Sequence, residues 1–478
     1  MSANETVAQT LAGCLAAIVF EGLSETARQV ATASIIDTVG AMLLGASGAV
    51  NAALQAALGE DLADGPAFVF GRGSRAGLLD AALINGASAH ADDYDDMACS
   101  MGGRPSAPLV PVVLALGETL GASGAQVIEA YVVGFEAECR IGRVVNPHHY
   151  EGGWHPTSTL GVFGAAAAAA RLLRLDRDRT VAALTLAASM SSGLKANFGT
   201  MAKPLQVGQC ARGGLLAAKL ANVGFTANPA ALEHPQGFFA SYDGLDNIHL
   251  ERLLDHPGGR LEIEQDSIGL KPFPCCGSTH PVARAMLALR ARGVRPEDVD
   301  SVLISVNRRR LPHTNNPNPN TPLEARFSIQ YVAARTLLDG PPRLHHFEGR
   351  SHLETEVRSL MRRISVVAYA AHAGRGGRDE CNEFEADVTV LTRSGDQIEA
   401  NAPHALGRGG VDPMSSDELR MKFRDCASRS LGAAQIDAAF SALQRLASCT
   451  RIPDLMDLMS PSPSPSPSPV AAAGAARS

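Results

Sequence analysis

Four histidines in this chain stand directly before a proline, and two of them lie in motifs that could carry chemistry. His155 lies in GGWHPTSTLG, residues 152–161, beside the only tryptophan, and His280 lies in KPFPCCGSTHP, residues 271–281. Proline is favoured in the first turn of a helix, so both imidazoles are expected at helix N-termini. The helix dipole there disfavours imidazolium and attracts anions. A neutral histidine beside an anion site has the properties of a general base.

The stretch around His155 also has a packing interpretation, and the residue types alone leave both open. In that interpretation Trp154 anchors the core and His155 caps the turn. In the catalytic interpretation, the hydroxyls of Thr157 and Ser158 hydrogen-bond a substrate carboxylate.

An acidic cluster within HADDYDDMACSMGGRPSAPLVP, residues 90–111, could also carry chemistry. Five potential acid, base or metal-ligating side chains crowd seven positions, namely His90, Asp92, Asp93, Asp95 and Asp96. They could form a solvated helix cap, a divalent metal site, or an acid, base or orienting group aimed into a pocket. Spacing alone favours the solvated cap. Arg104, which follows, can bind a carboxylate through two hydrogen bonds.

Lys203 and Tyr331 are the remaining candidates. Lys203 stands among apolar residues before a predicted helix, where its charge could bind a carboxylate or stabilise an enolate, although surface lysines are commoner. Tyr331 lies on an amphipathic helix and is either a core residue or a proton donor. Cys275 and Cys276 are adjacent. Because no third cysteine lies nearby in the sequence, we do not expect an iron–sulfur cluster.

Composition limits the class of protein. The chain has 478 residues, with 45% hydrophobic and 5% aromatic residues, and alanine runs favour a helical protein. The net charge is −7 without a basic block, so we expect neither nucleic acid nor a membrane surface as partner. Nine cysteines without a CxxC pair indicate reduced thiols. The N-terminus lacks signal-peptide features, so we expect a cytoplasmic protein.

Hydrophobic periodicity predicts a large all-helical domain over residues 1–266, with no strand before residue 260. The predicted helices span 5–20, 24–45, 76–92, 108–120, 124–141, 157–174, 177–192, 207–222, 227–232 and 248–254. Helices after residue 414 are expected to pack back onto this domain, so that 404–458 completes it.

Residues 267–403 are predicted to form a smaller α+β domain. Helices are expected at 279–292 and 322–338, and strands at 299–307, 362–370 and 384–402, the last a hairpin about Ser394-Gly395-Asp396. The Ser-Pro and alanine-rich tail, 459–478, is expected to be disordered. The predicted fold class is therefore mainly α with a smaller α+β domain.

Six stretches, in this order, resemble signatures of the MmgE/PrpD family, which includes 2-methylcitrate dehydratase, cis-aconitate decarboxylase and iminodisuccinate epimerase. They are NGASAHADDYDD, RPSAPLVPVVLALGE, GWHPTSTLGVFGAAAAAARLL, MAKPLQVGQCARGGLLAA, KPFPCCGSTHP and ARFSIQYVAARTLLDG. The resemblance implies a two-domain homodimer with its site in the cleft between domains, and chemistry without a metal or an organic cofactor.

The resemblance to the decarboxylase branch also implies site residues. The matching positions are Asp93, His155, Lys203, His280 and Tyr331. This chain departs from that branch at two positions, where a threonine is Met97 and a histidine is Arg104, with one residue inserted in the loop. Arg104 still provides an anion-binding side chain.

The family's shared chemistry is proton removal or delivery α to a carboxylate, so we expect a small di- or tricarboxylic acid as substrate. His155 is the expected acid/base, Lys203 the charge that stabilises the enediolate, and His280 a second proton carrier. Asp93 would orient a histidine, and Arg104 and Tyr331 would hold remote carboxylates. A lyase is the first hypothesis. The alternatives are an epimerase of a dicarboxylate, which the absent threonine and histidine favour, and a non-catalytic carboxylate-binding protein.

Overall fold

A computed structural model describes most of the chain and shows how it places these side chains. The described residues are 5–59, 64–71, 74–255, 259–265, 268–369, 385–402 and 413–460. The predicted Ser-Pro and alanine tail from residue 461 onward lies outside them. Met459, assigned to that tail from the sequence, is instead fully buried in the helical core, which corrects the start of the tail.

The N-terminal two thirds of the described chain are built from helices around one large core. Side-chain caps fix several helix starts; Thr6 and Ser123, for example, each close a capping box. The α-helices are α1 Val7–Ala16, α2 Glu25–Gly45, α3 Ala49–Leu58, α4 Leu78–His90, α5 Ser106–Leu120, α6 Gly124–Val145, α7 His148–Glu151, α8 Pro156–Thr159, α9 Gly161–Leu172, α10 Arg177–Ala188, α11 Ala202–Asn222 and α12 Phe238–Tyr242.

A second core lies around a four-stranded mixed sheet formed by residues after 298. Its strand order is β6-β5-β7-β8, with β5 and β6 parallel and the other pairs antiparallel. The helices α13 and α16 pack on it. The elements here are β5 Val299–Val306, β6 Ile364–Ala368, β7 Ala386–Thr392, β8 Gln397–Ala402, α13 His280–Ala291, α14 Leu311–Thr314, α15 Pro322–Arg326, α16 Ile329–Asp339 and α17 Thr355–Met361.

The last described segment returns to the helical part, as its helices α18 Ser416–Ala427, α19 Ala433–Gln444 and α20 Ile452–Asp457 join the first core. Helix α18 packs against α2. Its Lys422, only 3% exposed, pairs with Asp37 Oδ1 at 2.6 Å and donates to the backbone oxygen of Tyr94 at 2.7 Å. A distant segment of the chain therefore holds the acidic turn that follows α4.

The predicted fold class, mainly α with a smaller α+β part, is confirmed; the domain limits 1–266, 267–403 and 404–458 stay a proposal. The expectation of no strand before residue 260 is wrong. Three short strands lie there, β1 Ala67–Val69, β2 Ser74–Ala76 and β3 Met97–Ala98, and β3 pairs with β4 Ile268–Gly269. Strands of two or three residues are too short to show a period of two.

Several helix predictions also need correction. Helix α3 was not predicted, and residues 227–232 form turns rather than a helix. The helix predicted over 322–338 is two helices, because Ser328 caps α16 by accepting from the Tyr331 backbone N–H. The hairpin prediction is confirmed, with Gly395 at φ +93° in its turn.

Helices α4 and α11, which carry His90 and Lys203, cross where two glycines meet. A Cβ on Gly86 would lie 3.1 Å from the Gly208 Cα, and a Cβ on Gly208 would lie 2.3 Å from the Leu83 carbonyl oxygen. Real Cβ atoms do not approach backbone so closely. The two helices can therefore lie this close together only because glycine, which has no Cβ, occupies both positions. This crossing sets the distance between the acidic turn and Lys203.

Substitution Gly208→Ala is expected to force these helices apart and to lower the free energy of unfolding by about 1–3 kcal/mol. Gly213→Ala is the matched control in the same helix, since its Cβ would meet its nearest neighbour, Met190 Cβ, at an ordinary 3.5 Å. Urea denaturation of both variants measures the difference. Equal stability of the two variants would contradict the crossing as the constraint.

Candidate active site

The site is organised around the turn that follows α4, and Asp93 is its central residue. Asp93 has a left-handed backbone with φ +54°, a conformation that aspartate tolerates better than most residues. Lys271, only 1% exposed, holds this conformation by donating to the Asp93 backbone oxygen at 2.5 Å and to its Oδ2 at 2.8 Å. The turn is therefore fixed by a residue 178 positions away in sequence.

Three cations contact the Asp93 carboxylate. Besides Lys271, Lys203 Nζ lies 2.8 Å from Oδ1 and an Arg104 guanidinium nitrogen lies 3.3 Å from it. Burial alone would raise the pKa of Asp93, but the charges of Lys203, Lys271 and Arg104 outweigh burial and hold that pKa well below its usual range. Asp93 is therefore ionised. Its single negative charge is shared by three cations, so these four side chains together carry a net positive charge.

The last residue of α4, His90, forms a buried pair with Asp95. His90 Nδ1 lies 2.6 Å from Asp95 Oδ2, and neither side chain is exposed. With the carboxylate as acceptor, Nδ1 carries the proton and Nε2 is left unprotonated. Nε2 is buried without a hydrogen-bond partner among the described residues. Burial lowers the pKa of His90, so the ring is a neutral base.

His155 lies directly beside His90, with ring centroids 5.5 Å apart. Its Nδ1 lies 2.8 Å from Gln206 Oε1, while Gln206 Nε2 donates to the Leu194 carbonyl at 3.2 Å. The second bond fixes the amide orientation, so His155 Nδ1 is the donor and Nε2 is unprotonated. Burial, reinforced by nearby His90, lowers the pKa of His155 to about 3.

An aromatic cluster positions the turn that carries His155. The Trp154 ring lies 4.5 Å from that of Tyr242, and its Nε1 donates to the Tyr242 carbonyl at 3.0 Å. Buried His149 stacks on both rings, with Nδ1 2.9 Å from Asp243 Oδ2 and Nε2 2.7 Å from Thr159 Oγ1. His155 N-caps α8, as its position before proline predicts. The packing and catalytic interpretations are therefore compatible.

A cavity of about 690 Å³ opens onto this turn from between the two cores. Its acidic, basic and imidazole lining residues are His90, Asp92, Asp93, Lys203, His313, Glu324 and Arg326. The other lining residues are Val50, Ala91, Gly199, Thr200, Met201, Pro204, Cys275, Cys276, Pro312, Asn315, Asn316, Leu323 and Phe327. Arg326 crosses the cavity mouth, donating to the Asp92 backbone oxygen at 2.8 Å and contacting its Oδ1 at 3.2 Å.

The arrangement combines neutral imidazoles with a cationic inner end. Comparison with known proteins identifies the family of the chain that carries it. Residues 9–251 match the MmgE/PrpD N-terminal domain model and residues 273–446 match the C-terminal domain model. The chain belongs to the MmgE/PrpD family. The first match covers most of the helical part. The second covers the mixed α+β part and continues into helices α18 and α19, which join the first core.

Relatives of this MmgE/PrpD protein include three cis-aconitate decarboxylases. The Mus musculus protein is 29% identical over 383 residues, covering 77% of this chain and 75% of the relative. The Homo sapiens protein is 28% identical, with 80% of each covered, and the Aspergillus terreus protein is 27% identical, with 82% and 83% covered. The protein is an MmgE/PrpD-family lyase.

Of the residues predicted from sequence, this MmgE/PrpD structure brings Asp93, Lys203, Arg104 and His155 together. Asp93 and Lys203 line the cavity, and the other two lie directly behind them. The interpretation of the acidic cluster as a solvated cap, favoured by spacing, is wrong. Asp95 and Asp96 are fully buried, because the turn packs inward against the core.

Four other predicted residues do not reach the cavity. Ser158 Oγ is bonded to the Ser192 and Gln206 carbonyls, and Thr157 Oγ1 accepts from the Arg104 backbone N–H at 3.0 Å. His280 is buried, with Nε2 3.2 Å from the Cys275 carbonyl oxygen. Tyr331 lies in the second core, where its hydroxyl accepts from Arg335 Nε at 3.0 Å and donates to the His346 carbonyl.

Sequence reasoning missed several residues at the cavity or directly behind it. Lys271 lies within KPFPCCGSTHP, where the prediction rested on the cysteines and the histidine alone, and His313 lies in a segment without a recognised motif. His90 was noted in the acidic cluster, but its pairing with Asp95 was not predicted. The only sequence signal for this pairing is the short spacing of His90 and Asp95, which are five residues apart.

Among the described residues, no group of three His, Cys, Asp or Glu side chains is placed to bind a metal ion. In the same part of the chain, no single helix has the length and apolarity needed to cross a bilayer. One pair of helices, Glu25–Gly45 and Ala49–Leu58, meets the length and composition test together, bent by 72°.

The lowered pKa of His155 predicts a pH-dependent loss of stability. Below pH 6.5 the unfolded chain protonates this ring, whereas the folded chain does so only near pH 3. The unfolded state therefore binds more protons as the pH falls, which destabilises the native state. Relative to His155→Gln, the natural protein should lose roughly 1 kcal/mol between pH 7.5 and 5.5. Urea denaturation at both pH values measures this, and parallel pH dependence of the two proteins would refute it.

Proposed function

We propose that this protein is a cofactor-independent lyase that removes or delivers a proton α to a carboxylate of a small di- or tricarboxylic acid. The observation that carries the proposal is a cavity lined by His90, Asp93 and Lys203, with the unprotonated ring of His155 directly behind His90. Decarboxylation is the first candidate, because the relatives named above are cis-aconitate decarboxylases. A homodimer remains part of the proposal from the family resemblance, and a cytoplasmic location remains an expectation from the sequence.

The cationic group supplies what a weakly acidic α-proton requires. Removal of that proton leaves an electron pair in an enediolate, whose negative charge must be stabilised in a site shielded from water. Lys203 Nζ lines the cavity, while Lys271 and Arg104 support the same Asp93 carboxylate from behind. Lys203 is therefore assigned to the enediolate, and Asp93 positions Lys203 rather than a histidine.

His155 is assigned as acid/base, and His90 rather than His280 as its partner. Both rings carry their proton on Nδ1, toward Gln206 and Asp95 respectively, so each has Nε2 available for a substrate proton. His280 donates through Nε2 to the Cys275 carbonyl oxygen, so this nitrogen has no lone pair for a substrate proton. Arg104 remains assigned to anion binding through its position beside Asp93.

The outcome depends on the group next to the enediolate carbon. In decarboxylation, the C–C bond to a carboxylate breaks, CO₂ leaves, and the electron pair delocalises into an enediolate. The enediolate takes a proton that an imidazole has first accepted from solvent, so the imidazole ends neutral, as it began. In dehydration, the α-proton passes to an imidazole and then to the departing β-hydroxyl, which leaves as water. Return of the proton to the opposite face of carbon gives epimerisation.

Proton NMR in D₂O with cis-aconitate, citrate, 2-methylcitrate, malate and iminodisuccinate tests the proposal. We expect CO₂ release from cis-aconitate, with deuterium incorporated at the carbon α to a remaining carboxylate, where the enediolate is protonated. An alkene formed from citrate or 2-methylcitrate would instead identify a dehydratase. Exchange of an α-proton without a new product would identify an epimerase. Absence of exchange and product with every acid would contradict the proposal.

Variants of the assigned residues should separate chemistry from folding. Lys203→Met, His155→Gln and His90→Gln are each expected to lower kcat at least a hundredfold, since each removes a charge or a proton carrier from the reaction. Lys219→Met is the matched control, an exposed lysine near the end of the same helix as Lys203. Thermal unfolding of each variant shows whether the fold is retained. Full activity of folded Lys203→Met or His155→Gln would overturn the assignment of that residue.

A further inference from the structure

The cavity has two ends of different chemistry. The inner end holds His90, Asp93 and Lys203. The outer end is lined by five residues that we call the apolar wall, namely Val50, Met201, Pro312, Leu323 and Phe327. These residues come from both parts of the chain, so the wall faces a shared space rather than one core.

The inner end has little positive charge to spare. Lys203, Lys271 and Arg104 face two ionised carboxylates, Asp93 and Asp95, and therefore carry a net charge of about one unit. At the mouth, Arg326 is already paired with Asp92, and Glu324 adds a negative charge to the lining. The charge left for a substrate is therefore small, so contacts with uncharged parts of the substrate must contribute to its binding.

The apolar wall, by contrast, is open to a ligand. Met201 is 54% exposed and Leu323 is 51% exposed, and neither belongs to either hydrophobic core. Large apolar side chains that remain accessible inside a cavity lose water contact only when a ligand covers them. The cavity volume of about 690 Å³ is within the usual range for ligands well larger than a short-chain acid.

We propose that the apolar wall is a subsite for an alkyl substituent, so that the substrate is a small di- or tricarboxylic acid carrying an apolar chain. The carboxylates bind at the Lys203 end, and the chain extends toward Met201 and Leu323. This inference rests on the proposed function for the reacting end of the acid. It adds the chemical class of the remainder of the substrate.

Isothermal titration calorimetry with succinate and with 2-methyl-, 2-butyl- and 2-octylsuccinate tests the subsite without requiring turnover. Each methylene that the wall covers is expected to tighten binding roughly two- to fourfold. The octyl compound should therefore bind at least tenfold more tightly than the methyl compound. Equal affinity across the series, or no binding of any member, would overturn the proposal.

The double variant Met201→Ser/Leu323→Ser locates the effect. It should bind succinate as the natural protein does, but the gain from methyl to octyl should fall below threefold. Val223→Ser is the matched control, because Val223 is 80% exposed at the end of the helix that Met201 N-caps and lies outside the cavity. An undiminished gain in the double variant would overturn the assignment of the wall.

The outcomes also separate this inference from the proposed function. Chain-length-dependent binding, with no acid turned over in D₂O, would contradict the lyase and support the subsite. Turnover of cis-aconitate combined with equal affinity for all four succinates would support the lyase and overturn the subsite.

Discussion

The structure of the site depends on a single buried carboxylate that is shared by three cations. Asp93 receives Lys203 from α11, Lys271 from the segment before α13, and Arg104 from the loop before α5. A lysine as buried as Lys271 is costly to leave unpaired, and its bonds to the Asp93 carboxylate and backbone offset that cost. One side chain thereby joins the helical part to the segment that begins the second part, and it sets the position of the lysine that faces the cavity.

The local electrostatics at this point oppose those of the whole chain. The protein has a net charge of −7, yet the inner end of the cavity is positive. The same burial and positive charge keep His90 and His155 unprotonated, because an imidazolium here would be both desolvated and repelled. The positive charge that attracts an acid, together with burial, therefore also keeps His90 and His155 unprotonated and able to accept a proton.

The sequence predicted the helical class from local periodicity and the hairpin at Gly395 from turn chemistry. It predicted four residues of the site because they lie within motifs that resemble those of the family. It did not predict the pairing of His90 with Asp95 or the role of Lys271, since both depend on the direction in which the turn after α4 packs. Tyr331 shows the opposite case. Its helix was predicted as amphipathic, but packing of the second core buries this tyrosine completely and directs its hydroxyl to Arg335 and the His346 carbonyl rather than to the cavity.

Lys422 shows how late in synthesis this site can form. Its ammonium group holds the backbone of Tyr94, 328 residues earlier, between the two aspartates that bind Lys271 and His90. During translation, the turn emerges from the ribosome long before the lysine that fixes it. Contacts of such sequence separation form slowly, because the intervening chain must first be ordered. The nascent protein therefore acquires most of its helices before it acquires an organised site.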